Sequence, residues 1–96
     1  MNLAAEAARL RAGATSVTFT TSGSSMEPRV GSGATVTVTS LAAAPRKGDV
    51  VLAKVKGRWY LHLVTGVRKG QVQISNNKGH VNGWTAVENV IGRLER

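Results

Sequence analysis

The 96-residue sequence contains no cysteine, which excludes a disulfide framework, a thiol nucleophile and any thiolate-based metal centre. Aromatic residues are nearly absent. Phe19, Trp59, Tyr60 and Trp84 are the whole set, so the core must be assembled from Val, Leu, Ile and Ala. No run approaches the roughly 20 apolar residues that a membrane-spanning helix requires. The Ala-rich N-terminus carries Glu6, Arg9 and Arg11, which break up any export signal. A soluble, cytoplasmic protein with no membrane span is therefore expected. Acidic residues are also few, five against thirteen Lys and Arg, for a net charge of +8. That balance favours an acidic protein, an acidic peptide or nucleic acid as partner through long-range steering. The cations are scattered singly and in pairs rather than gathered in a tail, so a merely solvated basic surface is an equally good reading.

What is present points to β-structure. Eleven glycines and many Val and Thr predict short strands with many turns. The length suits one domain over 1–96, with an N-terminal helix in 1–13 and a β-rich body in 14–96. In the helix Asn2 is the N-cap, Leu3, Ala7 and Leu10 share a face, and Gly13 follows the C-terminus. Period-two alternation predicts strands over 14–20, 34–39, 50–56, 58–66 and 71–75, with a short hairpin turn at Lys56-Gly57. The strand 58–66 puts Trp59, Leu61 and Leu63 on one face and Tyr60, His62 and Val64 on the other. The polar stretch 76–84 reads as a functional loop, and 88–96 as a turn followed by an edge strand.

The segment Ser22-Gly23-Ser24-Ser25-Met26-Glu27-Pro28 lies between two Val/Thr strands and has the composition of a tight turn. Gly23 opens backbone geometry closed to other residues, Pro28 stiffens the exit, and three hydroxyls crowd into four positions. A serine hydroxyl is a poor nucleophile until a base takes its proton, and histidine is the usual base near neutral pH. The sequence has two histidines. His62 alone, in mid-strand, reads first as a satisfied structural residue. His62 and His80 are too few and too far apart for a metal site, so no metal or cofactor is expected.

The order Ser-Gly-x-Ser-Met-x-Pro resembles the nucleophile motif of the signal peptidases and the LexA/UmuD-type serine peptidases. The resemblance implies that Ser25, directly before Met26, is the nucleophile. Lys47-Gly48-Asp49-Val50-Val51 through Tyr60-Leu61-His62-Leu63-Val64 is similar to the family's Gly-Asp-hydrophobic strand followed by its base-bearing strand. Bacterial signal peptidases and LexA-like members carry Lys at the base position, and the archaeal and endoplasmic-reticulum branch carries His. His62 makes this chain resemble the Ser-His variety. Lys54 and Lys56 fall one strand too early and read as surface residues. The Asp that orients the histidine in that branch has no counterpart in 75–82, where Asn82 falls near its position. Asn77 and His80 are the alternatives. The oxyanion site implied is the Ser25 N–H with the hydroxyl of Ser24 or Ser22, and Met26 is expected to pack beneath the turn. Asp49 is expected to anchor a turn near the base strand.

By the same resemblance the fold is expected to be mainly β, a coiled β-sheet or half-barrel with a short N-terminal helix. The activity implied is that of a serine endopeptidase on an extended peptide or protein substrate added as a β-strand. Without a membrane anchor or a DNA-binding domain, leader-peptide processing at a membrane and a complete repressor are not expected. Ala12-Gly13 resembles the self-cleavage pair of the repressors but precedes Ser25 by only twelve residues, so self-cleavage there is not expected. Two other readings remain open at this point. One is an inactive peptidase-like module that binds nucleic acid or an acidic protein through its basic surface. The other is an assembly component that forms a homodimer through exposed edge strands.

Overall fold

Asn2 begins the N-terminal helix α1 (Leu3–Arg11) by accepting the Ala5 N–H on its side-chain oxygen at 3.1 Å. The helix ends where Gly13 N donates to Leu10 O and Ala14 N to Arg9 O, the paired bonds of a Schellman motif. Ala12-Gly13 lies inside this cap and is not extended: Ala12 is helical in φ and ψ, and Gly13 has φ of 111°. The computed structural model describes residues 2–23, 26–27 and 29–95.

Seven strands follow: β1 (Ser16–Thr20), β2 (Thr35–Ser40), β3 (Val50–Val55), β4 (Arg58–Arg68), β5 (Gln71–Ser75), β6 (Val81–Ala86) and β7 (Val90–Leu94). They form one antiparallel sheet in the order β1-β2-β7-β3-β4-β5-β6. The expected mainly β fold with a short N-terminal helix is present, and the sheet is not closed into a barrel. It does curl. Thr85 on β6 donates its hydroxyl to the Lys54 carbonyl on β3 at 2.7 Å, although the two strands are not sheet neighbours. Among the described residues no helix is long and apolar enough to cross a membrane.

Two sequence expectations need correction. The closing strand is not an edge: β7 lies between β2 and β3, with Val90 and Gly92 buried. The edges are β1 and β6. Nor is 76–84 wholly a loop, because β6 begins at Val81 and is irregular where alternation fails.

Alternation along the strands divides the core between two faces. Ala7 and Leu10 of α1 pack with Val17, Val38, Leu52 and Leu61 on one face. Val51, Ala53, Val55, Val64, Val72 and Ile74 fill the other. Strand β3 contributes to both, so a one-residue slip of its register would exchange the two sets of side chains. The helix seats over β7 at Gly92. A Cβ there would lie 2.6 Å from Val38 Cγ1 and 3.0 Å from Leu10 Cδ1, so only glycine leaves room for this contact.

The long strand β4 changes partners midway. Arg58–Leu63 pairs with β3, and Leu63–Arg68 pairs with β5. Among the described residues, no strand therefore lines the second side of 59–62.

Candidate active site

His62 sits in the half of β4 that pairs with β3, and it is 8% exposed. Its ring stacks on Tyr60 with centroids 5.0 Å apart. Its Nδ1 lies 2.7 Å from Asn82 Oδ1. A carboxamide oxygen only accepts, so Nδ1 carries the proton and the lone pair of the neutral ring is on Nε2. The neighbouring strand supplies this partner through an irregularity. Ile74 pairs with Gly83 and Ser75 with Val81, which leaves Asn82 as the extra residue of a β-bulge. Bulges commonly re-aim a side chain beside a functional site. Gly83 accommodates this one at φ of 139°, where a Cβ would also come within 3.3 Å of Lys56 Cε.

Burial lowers the His62 pKa from its ordinary value of 6.5, because the charged ring is poorly solvated there. The hydrogen bond to Asn82 opposes that shift, and the electrostatic influence of His80 adds to it. The ring is consequently neutral at physiological pH, the form a general base needs.

A cavity of about 80 Å³ opens beside His62, walled by Leu3, Met26, Val30, Trp59 and Leu61 and bordered by Thr21, Ser22 and Gly23. It is far below the roughly 300 Å³ of a small-molecule site and suits a single side chain. Ser22 and Gly23 enter one end of the serine-rich turn and Met26 leaves it. Ser24, Ser25 and Pro28 lie outside the described residues. Met26 is buried, as expected for a packing residue, and accepts Val30 N on its carbonyl at 2.8 Å. Ahead of the turn Thr21 is pinned on both sides. Its hydroxyl bonds Gly31 O and Ala34 O, its N–H donates to Ala34 O, and its carbonyl accepts Gly33 N.

Of the three groups expected as partners of His62, Asn82 makes the contact. Asn77 instead reaches back to the other loop, with Nδ2 donating to Glu27 O at 3.1 Å and Oδ1 accepting Arg29 Nε at 3.2 Å. His80 is exposed, and its backbone closes the β5–β6 loop on Asn76. Asp49 anchors a turn, as expected: its carboxylate accepts Arg46 N at 2.9 Å and pairs with Arg93 at 3.4 Å. Lys54 lies against the Trp59 ring and Lys56 is exposed in the β3–β4 turn, so neither lines the cavity. Among the described residues, no three acidic or histidine side chains converge on a point that could hold a metal ion. Three contributors were given no role from the sequence: Tyr60 and Leu3 read as strand and helix face positions, and Thr21 fell between the expected strand and the serine-rich segment.

A family model described as Peptidase S24-like matches residues 2–93, and the chain belongs to that family. No curated protein matches the chain.

Proposed function

We propose that this member of the Peptidase S24-like family is a serine endopeptidase in which Ser25 is the nucleophile and His62 the general base. The observation that carries the reading is the Asn82-oriented imidazole of His62, bordering the same cavity as Ser22, Gly23 and Met26, three of the described residues of the motif that contains Ser25. In this mechanism the Ser25 hydroxyl adds to the scissile carbonyl as its proton passes to His62 Nε2. The tetrahedral oxyanion is held by the Ser25 N–H, helped by the hydroxyl of Ser22 or Ser24. Collapse returns the proton to the leaving amine and leaves an acyl-enzyme. Water, deprotonated by the same imidazole, then releases the acid and restores the serine.

Asn82 is a positioning residue in this scheme. It selects the tautomer with the base at Nε2, but as a neutral group it offers the imidazolium less stabilisation than a carboxylate would. The substrate is an extended peptide lying along 59–62, where β4 has no second strand neighbour among the described residues, with one modest apolar side chain in the cavity. Arg11 and Lys54 stack on Trp59 at the cavity wall, so flanking substrate positions meet positive charge.

Digestion of a peptide library from about pH 5 to 9, read by mass spectrometry, tests this directly. New termini should appear with the wild type, vanish in Ser25→Ala, and rise in yield as His62 deprotonates below pH 6.5. Absence of any Ser25-dependent cleavage would reject the enzyme reading and favour a binding module on the same fold.

A further inference from the structure

The loop joining β5 to β6 contains three asparagines with three different engagements. Asn76 organises the loop itself: Oδ1 accepts Lys78 N and His80 N, each at 2.9 Å, and its N–H donates to His80 O at 2.9 Å. Asn82 turns to His62. Asn77 takes no part in either arrangement. Its side-chain amide crosses to the loop after Ser25, where it donates to Glu27 O and accepts from Arg29 Nε. Those two residues belong to the turn that Val30 N closes on Met26 O.

We propose that Asn77 is a positioning residue that clamps the turn following Ser25 to the loop leading into Asn82, so that nucleophile and base are held in a common frame. The inference rests on the peptidase reading of the site and adds a component to it. The Asn77 contacts join residues 48 and 50 positions apart in sequence. Met26 and Val30 bury the ends of that turn in the core, but Glu27 and Arg29 between them are exposed, so Asn77 is what ties the outer part of the turn to the other loop. A carboxamide fits the task because one planar group both donates and accepts. It does not titrate, so the clamp holds across the pH range in which His62 changes charge. Reacting groups displaced by about 1 Å lose on the order of 10²-fold in rate, which is the scale on which a loosened turn is felt.

The test uses Asn77→Ala, Asn77→Asp and Arg29→Ala in the full chain. Asn77→Asp retains an acceptor for Arg29 but loses the donor to Glu27 O, and Arg29→Ala removes only the other bond. Three readouts are taken: the rate at which an organophosphonate probe labels Ser25, kcat and KM on a cleaved peptide, and hydrogen exchange of the Val30 amide. In Asn77→Ala, labelling and kcat should fall by about 10- to 100-fold with KM nearly unchanged. The acid limb of the pH profile should keep its midpoint, because His62 retains Asn82. Val30 exchange should accelerate about tenfold as the turn opens more often. The two partial variants should fall between wild type and Asn77→Ala.

Unchanged Val30 exchange in Asn77→Ala would overturn the clamp. Faster exchange with labelling and kcat intact would overturn the positioning role, since the tie would then serve the loop alone. A wild-type protein inert to both probe and peptide would remove the peptidase reading, and with it the positioning role, while Val30 exchange would still decide whether the clamp exists.

Discussion

Replacing Asn82 by Asp places a carboxylate oxygen where an amide oxygen now lies, 2.7 Å from Nδ1 of His62. The two side chains are nearly isosteric, so the bulge and the tautomer should survive, and the change isolates charge. In the native protein burial outweighs the Asn82 hydrogen bond and keeps the imidazole below its ordinary pKa. A charge-assisted bond is roughly twice as strong as a neutral one. Two unit charges about 4 Å apart attract by roughly 4 kcal/mol at the effective dielectric of a protein surface. Several kcal/mol of desolvation oppose this, because His62 is only 8% exposed and a second charge must join it. We expect the imidazolium to gain about 1.4 kcal/mol net, a tenfold shift in its protonation equilibrium.

Proton NMR of the imidazole rings measures this without reference to activity. The chain has two histidines, and the exposed His80 supplies the second signal in the same sample. The His62 midpoint should move up in Asn82→Asp, and the acid limb of any Ser25-dependent cleavage should move with it. The stability linkage should also weaken or reverse. In the native protein the unfolded chain binds more protons in the window just below 6.5, so His62 makes stability fall as pH drops through that window. If the variant raises the folded value above the unfolded one, the histidine contribution is full below pH 6.5 and is lost as pH rises through the folded pKa. An unmoved or lowered His62 midpoint would refute the claim that Asn82 sets the environment of this ring.

Met26→Ala should lower stability by about 2 kcal/mol, the low end for a buried Met because the side chain already borders a cavity, and shift peptide-library cleavage toward larger side chains in that pocket. Calorimetry and the library digest check the two halves separately. Gly92→Ala should cost about 1–3 kcal/mol, since its methyl would meet Val38, Leu10 and the Thr39 carbonyl at once, and urea unfolding gives the value directly. Asn2→Ala removes the cap of α1 and should cost about 1 kcal/mol. Because Leu3 lines the cavity, the same substitution should raise KM more than it lowers kcat.

Much of the fold could be read locally. Asn2 and Gly13 bracket a helix whose Ala7 and Leu10 are buried, and alternation sorted Trp59, Leu61 and Leu63 from Tyr60, His62 and Val64 correctly by face. Sheet order could not be read this way. Strand β7 inserts between β2 and β3 through pairings such as Thr39 with Arg93 and Leu52 with Gly92, which no local pattern announces. The start of β6 was obscured for a different reason: the bulge at Asn82 breaks the period of two exactly where the partner of His62 is needed. The Asn82 position was visible only through family resemblance, and the Asn77 contacts not at all, because long-range side-chain bonds leave no periodicity behind.

The division of β4 explains how so short a chain accommodates both a core and a site. Residues 63–68 are sheathed by β5, and Val64 is fully packed among Val72 and Ile74. Residues 59–62 keep β3 on one side and leave the other to the cavity. The half of the strand paired with β5 therefore fixes the direction and register of the half that borders the cavity. A histidine on that bordering half is held by backbone pairing with Val51, by the Tyr60 ring and by a side chain from β6, three constraints from three different elements. Such redundancy keeps a ring in one rotamer while its neighbouring edge stays available.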